Sequence, residues 1–203
     1  MFSQTVVVGR YTIVSHGHLA QVRKAREISE TVTVALLDLE VGCTAPDDET
    51  RYPEGEKFLR LCDINCAPRR NPFTLAERME MWRAAILTEF DEGTVRAERT
   101  LRPELFPAEF NRQFPSATHQ LLTTAPSPTC SEFDRLRTKE FETRLSRDVV
   151  EIEPDFVQHT SDLVRNAKVH SDWQRVVAPG AVGVFMEIDG PRRLRAAYEV
   201  DWT

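Results

Sequence analysis

The stretch that decides the fold is TVVV (residues 5–8) followed by GRYTIVSHGH (residues 9–18). The β-branched run predicts a buried strand, and Leu19 to Ile28 have the apolar spacing of a helix. A turn that leads from a strand onto a helix N-terminus favours phosphate binding, because free backbone N–H groups and the helix dipole both face it. The turn therefore points to nucleotide chemistry, and a βα turn with histidines as polar caps is the structural alternative.

Strand-like and helix-like patterns alternate along the rest of the chain. Val32–Leu37 is nearly all apolar, as strands of a parallel sheet are, and completes a βαβ unit with a right-handed crossover. Further strands are predicted at Thr94–Ala97, His119–Thr124 and Val149–Ile152, with an edge strand within Leu194–Trp202. Further helices are predicted from the Thr74 cap through Leu87, at Pro103–Phe114, at Ser131–Ser146 and from Pro179 to about Ile188. His159–Lys168 is predicted as a loop running into a helix. This alternation predicts an α/β fold with a doubly wound, Rossmann-like parallel sheet. Its ligand would lie beyond the carboxyl ends of the strands.

The segment from Val41 to Arg70 breaks this pattern. It is rich in acids, prolines and polar residues, and it is long for a connection, which indicates a functional flap or an insertion. We expect a single domain over residues 1–203, with this insertion at about 41–70 and a C-terminal extension from about 189. Cys62 and Cys66 have the spacing of a metal clip, but no second pair matches them, so reduced structural thiols are the expectation.

Composition restricts the class of partner. The 203 residues carry a formal net charge of −6, which argues against a broad nucleic-acid interface because such an interface needs a basic face. The sequence has no apolar run long enough to span a bilayer and no charged-then-apolar leader. We therefore expect a cytoplasmic protein with no nucleic-acid and no membrane partner.

The stretch at 9–18 and three later segments carry a family resemblance. GRY (9–11) with SHGH (15–18) resembles the Gly-Arg-Phe and His/Thr-x-Gly-His signature of the nucleotidyltransferase superfamily. NPFTLAER (71–78) resembles the Asn-Pro-Phe-Thr-x-x-Glu-Arg segment of archaeal-type and related nicotinamide-mononucleotide (NMN) adenylyltransferases. TSDLVR (160–165) stands where that family has Ser-x-Thr-x-Ile-Arg, and WQRVVAP (173–179) resembles its Trp-x-x-x-Val-Pro-Pro. Their order and spacing fit, and the resemblance implies the nucleotidyltransferase fold.

The resemblance also implies an activity. It is adenylyl transfer from ATP, with Mg²⁺, to NMN, which gives NAD and pyrophosphate; the family often assembles into homo-oligomers. The implied catalytic residues are His18, Arg165 and Ser15. The implied ATP-binding residues are Gly9, Arg10, Tyr11, Gly17, His18, Thr160 and Arg165. The implied residues of the nicotinamide-nucleotide side are Asn71, Phe73, Thr74 and Trp82, although an aromatic residue at helical spacing, such as Trp82 or Trp173, more often belongs to the core.

Three departures of the chain from the family pattern bear on its activity. Ser15 replaces a histidine or threonine, Asp162 replaces a threonine, and Ile13 replaces a proline. No residue is predicted as a protein ligand to a metal. Two alternatives to NMN adenylyl transfer therefore stay open: a same-fold transferase for another phosphorylated acceptor, and a regulatory protein that binds a nucleotide without turnover.

Overall fold

The fold is an α/β sandwich around one parallel sheet. The computed structural model describes residues 2–41, 56–67, 70–126, 132–153 and 173–199. The strands are β1 (Phe2–Gly9), β2 (Ser29–Leu37), β3 (Val95–Thr100), β4 (His119–Thr124) and β5 (Val149–Ile152). They are all parallel, in the order β3-β2-β1-β4-β5. This arrangement confirms the predicted doubly wound sheet.

Helices surround the sheet. They are α1 (His16–Ile28), α2 (Lys57–Cys66), α3 (Leu75–Glu89), α4 (Pro107–Gln113), α5 (Glu132–Leu145), α6 (Val182–Glu187) and α7 (Gly190–Glu199), with short 3-10 helices at Trp173–Arg175 and Pro179–Ala181. The chain builds β1 to β3 in one direction and then crosses to the other side of β1 for β4 and β5. The strand order therefore reverses between β1 and β4, and ligands of such sheets bind beyond the carboxyl ends at that reversal.

The core lies on both faces of the sheet. Val7 and Val34 contribute to a cluster with α1, α3 and the C-terminal segment, whereas Val6 and Ala35 contribute to a second cluster with phenylalanines of α2, α4 and α5. Successive side chains of a strand point to opposite faces. An unbroken β-branched run is therefore what a strand covered on both sides requires.

The insertion contains a helix that the sequence did not predict. α2 buries Phe58, Cys62 and Cys66, which are spaced four residues apart on one face. Because two of these three residues are cysteines among polar neighbours, the helical period is weak in the sequence. Both are buried thiols outside any disulfide, as predicted, while Cys43 and Cys130 lie outside the described residues.

The expected edge strand within Leu194–Trp202 is wrong, because Gly190–Glu199 is a helix. Arginine, leucine and alanine, which recur in this segment, are all strong helix formers. The helix expected from Pro179 to about Ile188 is confirmed, with a 3-10 first turn. The helix expected from Pro103 begins only at Pro107, and the one expected within His159–Lys168 lies outside the described residues. Within the described ranges, no helix is long and apolar enough to cross a membrane.

Candidate functional site

The turn after β1 lies at the carboxyl edge of the sheet, beside the reversal of strand order. Ser15 is the N-cap of α1: its Oγ accepts a hydrogen bond from the His18 backbone N–H at 3.3 Å. In return, the Ser15 backbone N–H donates to Nδ1 of His18 at 3.2 Å. This is a capping box in which histidine takes the place of the usual glutamate or glutamine. Gly17 lies in the same first turn of α1, where backbone N–H groups lack helical partners.

His18 is a neutral hydrogen-bond donor in this geometry. Burial lowers its pKa to about 4; a backbone hydrogen bond with Ile13 raises the pKa, and the charge of Arg10 lowers it further. The ring is therefore uncharged near neutral pH. The Ser15 N–H donates to Nδ1, and this bond favours the tautomer that carries the ring proton on Nε2.

Gly9 is needed for a reason that the sequence did not indicate. A Cβ at Gly9 would lie 2.9 Å from Cζ of Tyr11, because the Tyr11 ring folds back over the glycine. Tyr11 has a left-handed backbone, with φ of 46°, and its buried ring packs edge-on against His18 and Trp82 at 5.0 and 5.1 Å between centroids. Trp82 is fully buried in the core. These rings form the wall behind His18.

A polar network joins the first and second motifs. Arg10 donates from Nη1 to the Asn65 carbonyl at 2.5 Å. Asn71 donates from Nδ2 to the carbonyls of Asn65 and Ala67, both at 3.0 Å, and its Oδ1 accepts from Thr12 Oγ1 at 2.9 Å. Carbonyls at the end of a helix have no helical partner. Arg10 and Asn71 therefore hold the end of α2 against the turn that follows β1.

Arg78, the last residue of the second motif, is a buried cation that sequence analysis left without a role. Its side chain donates to the Arg10 carbonyl at 2.5 Å and to the Leu37 carbonyl at 2.9 Å. Burial lowers the pKa of its guanidinium to about 10, against the raising effect of Asp38. Arg78 thus ties α3 to the carboxyl ends of β1 and β2. Its position among buried neighbours, Met81 and Trp82, was the available signal.

The remaining residues of the second motif differ in exposure. Thr74 is exposed and caps α3, since its Oγ1 accepts from the Glu77 N–H at 3.3 Å while Glu77 Oε2 accepts from the Thr74 N–H at 2.7 Å. This confirms the predicted cap. Asn71 is half-buried, and Phe73 is buried, with its ring 6.0 Å from that of Phe185.

The last motif packs against the first. Val177 forms an isolated antiparallel bridge with Ser15, and the Ala178 N–H donates to the Val14 carbonyl at 2.8 Å. The family pattern has proline at the position of Ala178, and proline has no N–H to make this bond. Trp173 is buried against Phe185. The predicted residues Thr160, Asp162 and Arg165 lie outside the described residues.

The turn after β1 carries groups of the kind that favour an anion. The start of α1 offers backbone N–H groups, His18 offers a neutral donor, and Arg10 adds a positive charge. Among the described residues, no group of three His, Cys, Asp or Glu side chains is placed to hold a metal ion.

Comparisons with known proteins place the fold. No protein-family model and no curated protein sequence matches the chain. Two structures of the bifunctional NMN adenylyltransferase/ADP ribose pyrophosphatase from Francisella tularensis, one complexed with AMP and an Mn ion, align with 100% of this chain, with TM-scores of 0.61 and 0.59 and identities of 12% and 13%. The chain spans 54% of the length of that protein.

A third structure has a length similar to this chain. The Plasmodium falciparum nicotinic acid mononucleotide adenylyltransferase complexed with NaAD aligns with 93% of this chain and 97% of its own, with a TM-score of 0.53 and 7% identity. These likenesses show that the chain has the α/β, Rossmann-like fold found in adenylyltransferases of known structure.

Proposed function

We propose that this chain transfers the adenylyl group of ATP to NMN, forming NAD and pyrophosphate. The observation that carries the proposal is the turn after β1, where the start of α1 and His18 share a capping box and the charge of Arg10 acts on the His18 ring. The ordered motifs of the sequence and the shared fold support it.

The proposed reaction needs positioning more than covalent chemistry. A phosphate oxygen of the mononucleotide attacks the α-phosphorus of ATP, and the bond from that phosphorus to the β-phosphate bridging oxygen breaks, so pyrophosphate leaves. Donors aimed at the developing charge supply most of the acceleration in such sites. His18 would donate its Nε2 proton to a triphosphate oxygen, and Gly9, Gly17 and Ser15 would shape the loop and helix start around it.

Two sets of residues complete the proposal. Arg165 would bind the β- and γ-phosphates through its planar guanidinium, and Thr160 would also contact ATP, as the family resemblance implies. The nicotinamide nucleotide would lie on the side of Asn71, Phe73 and Thr74. Mg²⁺ is commonly held by substrate phosphates and water with few protein ligands. Magnesium would therefore arrive with ATP.

The test is product formation by the purified protein. ATP and Mg²⁺ are supplied with NMN, with nicotinic acid mononucleotide or with no acceptor, and dinucleotide and pyrophosphate are measured. We expect NAD to form only with NMN present. His18→Ala should lower kcat about 100-fold or more, as the loss of one charge-stabilising donor does elsewhere, while circular dichroism shows a folded chain. Unchanged turnover in His18→Ala would contradict the assignment.

A second candidate is adenylyl transfer to a different phosphorylated acceptor. The end of α2 lies against Arg10 and Asn71, so this helix of the insertion would lie near the acceptor side and could alter the choice of acceptor. A panel of phosphorylated acceptors separates the two candidates. Pyrophosphate release with another acceptor and none with NMN would favour the second, and nucleotide binding without any turnover would favour a regulatory protein.

A further inference from the structure

One side chain of helix α7 contacts the second motif, residues 71–78. Arg193 donates from Nη1 to Glu77 Oε1 at 2.6 Å and from Nη2 to Glu77 Oε2 at 3.0 Å, which is a bidentate pair. Its Nη2 also donates to the Pro72 carbonyl. The guanidinium carbon lies 4.8 Å from the centroid of the Phe73 ring, within the range of a cation–π contact.

The packing of α7 fixes where Arg193 points. Asp189 has a left-handed backbone, with φ of 57°, and turns the chain from α6 into α7. A Cβ at Gly190 would lie 2.3 Å from the Phe185 ring, so the helix starts in close contact with the core. Leu194 is fully buried in the cluster that contains Phe73. Leu194 therefore fixes α7 against the core, and Arg193, the preceding residue, contacts the second motif.

Glu77 has two partners that share one carboxylate. It caps α3 at the Thr74 N–H, and it pairs with Arg193. The Arg193 hydrogen bond, against partial burial, holds the pKa of Glu77 below its usual range. The carboxylate is thus charged near neutral pH, which a bidentate pair with arginine requires.

We propose that Arg193 is a positioning residue for the acceptor side of the site: by binding the Pro72 carbonyl, the Phe73 ring and Glu77, it holds residues 71–74 in the conformation that receives the mononucleotide. This inference rests on the proposed function, in which Asn71, Phe73 and Thr74 lie on the acceptor side. It assigns the C-terminal extension a role in acceptor affinity, which the sequence motifs did not indicate.

The test separates acceptor affinity from general stability. Arg193→Met removes the pair and the cation–π contact, Arg193→Lys keeps a charge without the planar fork, and Arg192→Met is the matched control on the same helix. Arg192 is 78% exposed and pairs only with the exposed Asp189 among the described contacts. We expect KM for NMN to rise about tenfold in Arg193→Met and about threefold in Arg193→Lys, with kcat and KM for ATP within about twofold of wild type and Arg192→Met unchanged.

Two outcomes would overturn the inference. One is an equal rise of both KM values, or a fall in kcat alone, since a merely structural role gives no preference for the acceptor. The other is unchanged hydrogen exchange of the backbone amides of residues 71–78 in Arg193→Met, because the clamp predicts exchange about tenfold faster there with β1 unaffected. Absence of dinucleotide formation by the wild type would defeat the proposed function instead, and the exchange experiment would still decide whether Arg193 holds the motif.

Discussion

His18 combines a structural and a proposed functional role at a single residue. Its Nδ1 caps the start of α1, and this bond leaves Nε2 as the donor. The positive end of a helix dipole opposes a protonated ring at that place, in the same direction as burial. His18 would therefore bind phosphate as a neutral donor, and Arg10 would supply the positive charge.

The lowered pKa of His18 predicts a pH dependence of stability. The unfolded chain binds this proton near pH 6.5 and the folded chain only near pH 4, so stability is retained above about pH 6.5 and is lost as pH falls toward 4. By pH 5 the free energy of unfolding has fallen by about 2 kcal/mol through this one group. His18→Gln keeps a capping acceptor and does not titrate. We expect wild type to lose about 2 kcal/mol more than His18→Gln between pH 7.5 and pH 5 in urea unfolding; equal losses would contradict the assignment of a half-buried, neutral ring.

Gly9 shows where prediction from residues stops. The sequence correctly predicted that Gly9 ends a strand and begins a turn that leads onto a helix. The contact that requires glycine is the Tyr11 ring, and it depends on the left-handed backbone of Tyr11. No local pattern encodes that ring direction, so the family resemblance implied only an ATP-binding role for Gly9.

At the scale of the element, Ser15 explains one departure from the family pattern. The position is an N-cap, and serine caps a helix at least as well as threonine. We expect Ser15→Ala to lower the free energy of unfolding by about 1 kcal/mol and Ser15→Thr to change it by less than about 0.5 kcal/mol. Urea unfolding of the two variants checks this. An unchanged free energy of unfolding in Ser15→Ala would contradict the capping explanation.

Helix α2 is anchored by a buried ionic group. Arg102 pairs with Asp63 of α2 at 2.6 Å and with Glu104 at 2.7 Å, and all three residues are buried. Removing one partner from such a group leaves uncompensated charge in the interior.

We therefore expect Arg102→Met to lower the free energy of unfolding by about 3–5 kcal/mol. Arg112→Met is the control, since Arg112 is 75% exposed in a surface pair, and it should cost less than about 1 kcal/mol. Guanidinium unfolding of both variants is the measurement. Similar small losses in the two would show that the ionic group does not stabilise the attachment of α2.

Helices and strands with a strong periodic pattern of apolar residues were predictable from the sequence, and those with a weak pattern were not. β1, β2 and α3 carry continuous apolar runs or a capping box, and the structure confirms all three. α2 has cysteines on its buried face, and α7 presents one buried leucine among arginines. Both are helices whose packing partners come from distant parts of the chain, so local pattern could not identify them.

At the scale of the whole molecule, the candidate site is assembled from segments that are far apart in sequence. The turn after β1 contacts the end of α2 through Arg10, the start of α3 through Asn71, and the late segment through Ala178. The order of the motifs along the chain could be recognised from the sequence alone, because it does not depend on how the chain folds. The sequence could not give the carbonyls and rings through which they meet, since those contacts appear only when the sheet order is known.

Arg78 is the residue on which this assembly most depends, because one buried guanidinium joins α3 to the ends of β1 and β2. Arg78→Met would leave the Arg10 and Leu37 carbonyls without these donors, at a cost of about 2–4 kcal/mol in the free energy of unfolding. Arg78→Lys has a single flexible donor head and should lose about half as much. Hydrogen exchange should show faster opening at the carboxyl ends of β1 and β2 than at their amino ends in both variants. If Arg78→Met instead stayed within about 0.5 kcal/mol of wild type, as ordinary surface substitutions do, the carboxyl edge would be held by sheet pairing alone, and the buried charge would have to be explained by a role in binding.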